Sequence, residues 1–169
     1  MKAKLIIEDK EIEVEISEEE YKKLQPSEEK KTGYERVSKS SDYFYVSYND
    51  KVDATVEDCY DVDNECYESA NYYSSETVAK NNARADKLMR QLRRFSVEHR
   101  EDEVNLDDIK TKKFFITYNY ENNEIRLGYT LQLKAFGAIY FDSREVVNIA
   151  IDEFHDELIW YFTEYKDSL

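Results

Sequence analysis

Two stretches of this chain join the end of a strand to the start of a helix in the same order. Ile139–Val147 runs through Tyr140 and Phe141, then Asp142 and Ser143, then Arg144 and Glu145, and ends on Val146 and Val147. Asn71–Ala79 repeats the order with Tyr72 and Tyr73, Ser74 and Ser75, Glu76 and Thr77, and Val78 and Ala79. The aromatics suit a half-buried strand. The residues that follow can accept from the orphan amides of a first helical turn, and the small or branched pair then faces the core. Two such junctions predict an α+β fold, with one antiparallel sheet and two long helices on one face. They also suggest a ββα-type internal duplication. Capping physics alone makes such junctions look alike, and that alternative stays open.

The remaining elements can be placed around these junctions. Residues 2–16 alternate, with Leu5 and Ile7 on one run and Ile12, Val14 and Ile16 on the next, as in a short hairpin turning at Asp9 and Lys10. Ser17 and Glu20 have capping-box spacing, and a brief helix with Tyr21 and Leu24 should end at Pro26. Residues 1–26 thus read as an N-terminal ββα module, 27–41 as a polar linker and 42–169 as the main domain, with a start near Tyr34 as the alternative. In the main domain Tyr43–Tyr48 is a strand, Asn49 and Asp50 a turn, and Val52, Ala54 and Val56 a return strand. Residues 57–70 read as an acidic loop. A helix from Ser75 to His99 carries the stripe Val78, Ala85, Leu88, Met89, Leu92 and Phe95, which fits the helical period. A second hairpin spans Lys113–Tyr120 and Ile125–Leu133. Ile139–Phe141 reads as a short strand, and Asp142 caps a last helix running to about Tyr165, with Glu145 as its box partner.

Charge is where composition matters. The chain carries a formal −14, and 37% of its residues are charged. Such a surface repels nucleic acid and anionic membranes and attracts basic proteins, so neither direct nucleic-acid binding nor membrane association is expected. The charge is uneven: residues 36–77 sum to −7 while 78–100 sum to +5. Cys59 and Cys66 stand in a C-x6-C spacing that matches no common zinc pattern, and two free thiols in a reducing cytoplasm are expected, with a disulfide closing the short loop as the alternative. There is no apolar run of about 18 residues.

No catalytic motif emerges. With three Gly in the chain there is no glycine-rich phosphate loop. Asp61, Asp63 and Glu65 begin like a calcium loop, but Cys66 and Tyr72 fall where that loop needs Gly and Glu. His155 lies near Asp152 and Asp156 with no positioned partner visible. The chain therefore reads as a non-enzyme without metal or cofactor. The candidate binding residues are Asp58, Asp61, Asp63, Glu65 and Glu68, with Tyr60 and Tyr67 as anchors. Carboxylates interleaved with Tyr can occupy a groove lined with Lys and Arg. An alternative is an oligomeric adaptor, or a sponge for a small anionic signal, using Lys87, Arg90 and Arg94.

Several pieces in order carry a resemblance: the opening Lys4–Glu20, Gly33–Val37, Tyr43–Val46, Asn71–Ser74, Leu92–Phe95, Phe114–Tyr118 and Ile139–Glu145. Together they resemble a family of small acidic accessory proteins encoded by phages and prophages of low-GC Gram-positive bacteria. The resemblance implies a host-takeover or anti-defence setting in the host bacterial cytoplasm, and it brings no catalytic residues. The expectation is a viral inhibitor that mimics nucleic acid and binds a host nucleic-acid-handling protein, such as a CRISPR effector nuclease or a restriction enzyme. A homodimer is a further expectation.

Overall fold

The computed structural model describes residues 2–7, 10–15, 17, 31–101 and 103–168. The chain divides into two compact units, Met1–Thr32 and Gly33–Leu169. In the first, β1 (Lys2–Ile7) pairs antiparallel with β2 (Lys10–Glu15), Leu5 opposite Ile12, as the alternation predicts. The helix expected before Pro26 lies outside the described residues.

The larger unit contains β3 (Asp42–Val46), β4 (Val52–Val56), α1 (Asp61–Glu68), α2 (Glu76–Glu98), β5 (Lys113–Asn119), β6 (Glu124–Thr130), α3 (Arg144–Glu153) and α4 (His155–Thr163). The fold is α+β, as expected. Among the described residues the expected single antiparallel sheet is replaced by separate pairs. β3–β4 and β5–β6 are separate two-stranded hairpins, with Tyr43 opposite Thr55 in one and Ile116 opposite Leu127 in the other. The reason is local. The outer edge of β3 is met by Tyr73, through Phe44 N–H to Tyr73 O at 2.8 Å and Tyr73 N–H to Phe44 O at 2.9 Å, and by the Asn71 side chain, which accepts from Val46 N–H at 2.8 Å and donates to Val46 O at 2.9 Å. The edge of β5 is met by Phe141 alone, through the same reciprocal pair with Phe114 at 3.1 and 2.9 Å. Neither segment continues as a strand, because each enters a helix cap two residues later.

The caps repeat as well. Ser75 Oγ accepts from Val78 N–H, and Ser143 Oγ accepts from Val146 N–H. An N-cap Ser of this kind contributes about 1 kcal/mol. The cap of α3 is therefore Ser143 rather than Asp142; Asp142 instead accepts from the Glu101 amide at 2.8 Å. After each cap the next apolar pair is buried, Val78 with Ala79 and Val146 with Val147.

Helix α2 matches its predicted span, and Val78, Ala85, Leu88, Leu92 and Phe95 are all buried. Its start packs with Tyr73, Phe44, Val46 and Val52. Its end joins a core with Phe141, Val147, Ala150 and Leu158, against which Phe114, Ile116 and Leu127 of the second hairpin also pack, that hairpin lying mainly on α3. The last helix was expected unbroken to about Tyr165; it breaks at Phe154 (φ −104°, ψ 17°), which lets Leu158 and Trp160 turn inward. Arg84 then lies 3.9 Å above the Trp160 ring and forms a two-pronged pair with Glu157.

Two corrections concern segments read as irregular. The acidic loop contains the two-turn helix α1. Residues 33–41, assigned to the linker, belong to the larger unit: Ser74 N–H donates to Gly33 O at 2.8 Å, and Ser40 N–H to Glu57 O at 2.7 Å. Gly33 sits at φ +94°, where an added Cβ would lie 2.6 Å from Val78 Cγ2. Both strain and overlap oppose any side chain there. Gly33→Ala should destabilise the unit by roughly 1–3 kcal/mol in urea titration; an unchanged midpoint would contradict the placement of Gly33 against α2.

Candidate acidic interface

The segment after β4 descends into a buried polar network. Glu57 ends the hairpin with only 1% of its surface exposed. Its carboxylate accepts from Arg36 Nε at 2.9 Å and Nη2 at 3.0 Å, from Tyr72 Oη at 2.9 Å and from the Cys59 amide at 2.8 Å. Asp63, 2% exposed, accepts from Tyr43 Oη at 2.9 Å and from the amides of Asp58 at 3.1 Å and Tyr60 at 2.9 Å. Tyr43 and Tyr72 stack with ring centres 4.0 Å apart, so the two carboxylates are joined through an aromatic pair. Every oxygen of these two anions has a donor, the condition under which buried charge is tolerated.

Ionisation follows from this geometry. Hydrogen bonds from Arg36, Tyr72 and the Cys59 amide outweigh burial and hold Glu57 at about 2, against an ordinary 4.5. Burial pushes Asp63 upward, but the Tyr60 amide, the Tyr43 hydroxyl and the Asp58 amide together leave it below its ordinary value. Burial, with the carboxylate it donates to, raises Tyr43, and burial pushes Tyr72 up to about 12. Both phenols stay protonated and serve as donors.

The network builds α1. Asp63 is the third residue after Tyr60, where a side chain can reach back to the N-cap amide. Asp61 and Asp63 also place negative charge in the first turn, which favours a helix start. Cys59 takes φ +61° to turn the chain into the helix. With α1 fixed, Asp61, Glu65 and Glu68 fall at i, i+4 and i+7, one stripe of the helix, and all three are exposed. Asp58 lies half-buried at its foot. Tyr60 is 67% exposed and Tyr67 44%. Tyr67 meets Tyr72 edge-on at 5.4 Å, and the Arg36 guanidinium lies over its ring at 5.6 Å.

Most of the residues singled out from the sequence are thus brought together on one element. Asp63 is the correction: it is buried beneath α1 and unavailable to a partner, because the helix consumes its carboxylate. Glu57, Arg36, Tyr43 and Tyr72 were missed as parts of the site. The spacing of Asp63 three residues after Tyr60 was the one readable sign, since a carboxylate there fits a helix start better than a loop.

The basic residues of α2 are largely committed. Arg90 pairs with Asp50 on the β3–β4 turn, Arg84 with Glu157, Lys80 with Glu76, and Arg94 with Glu98 at 3.7 Å. Lys87 is exposed, without an ion pair among the described residues, between hollows lined partly by Asp50, Asp53, Glu153 and Glu157. His155 is exposed beside Asp156 at 3.3 Å, and His99 stacks on Phe95 at 3.8 Å. Cys59 and Cys66 are free thiols. Among the described residues no group of three or more His, Cys, Asp or Glu could hold a metal ion, and no helix is long and apolar enough to cross a membrane.

The depressed carboxylate values set an acid sensitivity. Because the folded value of Glu57 lies below the unfolded one, its contribution is complete above about 4.5 and is lost as pH falls towards about 2. Thermal melts should therefore show a falling midpoint across that window. Glu57→Gln should melt lower at neutral pH and lose less on acidification; an unchanged acid profile would contradict the network. No protein-family model, curated protein or solved structure matches the chain, so its own geometry is the ground for a functional reading.

Proposed function

We propose that this chain is a non-enzymatic inhibitor that presents the α1 carboxylates to a basic, nucleic-acid-binding surface of another protein. The observation that carries the reading is the preformed stripe of Asp61, Glu65 and Glu68, with Asp58 below and Tyr60 and Tyr67 beside it. At about 1.5 Å rise per residue the three stripe carboxylates stand about 6 and 4.5 Å apart along the axis. That is the same few-ångström scale as the rise of about 3.4 Å per phosphate of one DNA strand. A groove of Lys and Arg built to meet regularly spaced phosphates meets comparable charge here. The net −14 adds long-range attraction and fast association. Exposed Tyr rings supply apolar area at small entropy cost.

The buried network supports this reading. Carboxylates on a fixed helix need no ordering when the partner arrives, and such preorganisation spares the cost of immobilising a loop. The resemblance to phage accessory proteins suggests the target class, a host defence nuclease of the CRISPR or restriction type, with both proteins in the bacterial cytoplasm. The alternative, a small anionic signal held by Lys87, Arg90 and Arg94, is weaker because both arginines are engaged with carboxylates of this same chain.

The test uses a purified CRISPR effector nuclease loaded with guide RNA, and a restriction enzyme, each cleaving its target DNA. The chain should inhibit one class in competition with DNA, and inhibition should weaken as salt rises. The variant carrying Asp58→Lys, Asp61→Lys, Glu65→Lys and Glu68→Lys should lose at least about a hundredfold in potency with its circular dichroism unchanged. Inhibition that survives in this variant, or that ignores salt, would contradict charge mimicry.

A further inference from the structure

A second feature lies at the far end of α2. An apolar cleft of about 260 Å³ is walled by Leu88, Met89, Leu92, Phe115, Leu158 and Phe162, among others, and Phe136 stands on its rim. From the cleft's position and from that ring we infer that it is a socket for Phe136 of a second copy of this chain, inserted reciprocally across a two-fold axis. The inference is independent of the α1 reading.

The loop carrying Phe136 is built to present it. Tyr140 Oη accepts from the Ala135 amide at 2.8 Å and donates to Leu133 O at 3.3 Å, which ties the two sides of the loop together. At the loop's root Lys113 is buried, and its ammonium donates to the carbonyls of Asp108, Thr111 and Leu131. Gly137 takes φ +76° at the tip. On this tied loop Phe136 is fully exposed and Leu133 is 75% exposed. A fixed loop that holds an aromatic ring in water has the form of an anchor awaiting a pocket.

The cleft fits such an anchor better than it fits a metabolite. It exceeds the roughly 150 Å³ of an apolar cavity able to hold a benzene ring. Among its lining side chains the Tyr161 hydroxyl is the one hydrogen-bonding group, so a polar small molecule would find little to orient it. Charge then selects the partner. Between Arg126 and Asp142 the sequence holds one charged residue, Lys134, in a chain that is 37% charged. Two copies that each carry −14 repel one another over most of their surfaces and can approach closely where charge is sparse. A basic partner would be drawn to the carboxylates instead. Since ring and socket share one patch, a two-fold pairing satisfies both at once, as an isologous interface requires.

The test is sedimentation equilibrium of the full chain over a concentration series at low and high salt. A reversible dimer is expected, unchanged or strengthened by salt, whereas binding through α1 is weakened by it. Phe136→Ser should lower the association constant on the order of a hundredfold or more, because two rings leave their sockets together. Circular dichroism should be unchanged, since Phe136 is exposed within each copy. Met89→Trp, which fills the socket, should have the same effect with Phe136 intact. Reversing the α1 charges should leave the dimer in place. A monomer at every concentration would overturn the inference, as would a dimer indifferent to Phe136→Ser. A monomer that binds the apolar dye Nile red in this cleft would overturn it too, and would give the cleft to a small apolar ligand.

Discussion

Helix α2 packs its first turns against the β3–β4 hairpin and its last turns against α3, on which the β5–β6 hairpin lies, and the larger unit depends on that double use. Val78 and Ala79 close the core beneath Phe44, Val46 and Tyr73. Leu88, Leu92 and Phe95 close the core beneath Phe114, Phe141 and Val147. Each large side chain buried this way is worth about 1.5–3 kcal/mol. A two-stranded hairpin is marginal on its own, and neither hairpin here joins a larger sheet. Helix α2 supports the first hairpin directly and the second through the core it shares with α3, and its length of 23 residues lets it reach both cores. The ion pairs of Arg84 and Arg90 along the exposed side add little individually, but they direct the basic face towards the chain's own acids.

The two hairpin-to-helix junctions look alike for a physical reason that requires no shared origin. A strand edge left open by a hairpin can be closed by one reciprocal pair of backbone hydrogen bonds. The chain must then turn, cap and bury an apolar pair. Tyr73, Ser75 and Val78 do this in one half, and Phe141, Ser143 and Val146 in the other. What distinguishes the halves is what each adds outside this scaffold. The first inserts α1 and its buried carboxylates between hairpin and helix; the second inserts the Tyr140-tied loop. Both candidate interaction surfaces are therefore insertions on a repeated support.

Legibility followed from how strongly a single physical effect dominated each segment. The stripe of α2 and the alternation of the hairpins are burial patterns, so the sequence displays them directly. Helix α1 is different. Its eight residues are mostly polar, and it forms because Asp63 serves Tyr43, the Asp58 amide and the Tyr60 amide together. That is a tertiary cause, invisible in a local window, and so the segment reads as a loop. Glu57 was unreadable for the same reason: its partners Arg36 and Tyr72 lie 21 and 15 positions away. The break at Phe154 is not legible because Phe154 continues the helical spacing of Val147, Ala150 and Ile151. Of the acidic residues singled out from the sequence, the exposed ones needed only charge to be noticed. Asp63 needed its burial to be known before its role could be separated from theirs.

Binding through the carboxylate stripe depends most on α1 being a fixed element rather than an acidic segment that orders on contact. Amide hydrogen exchange at neutral pH measures this directly. The amides of Asp58, Cys59 and Tyr60 donate to buried carboxylates. They should exchange as slowly as those of Leu88 and Leu92 in the core of α2, by opening of the whole unit. Exchange of these three amides at the rate of an unprotected chain, while α2 remains protected, would contradict the account, since the carboxylate stripe would then not exist before a partner arrives.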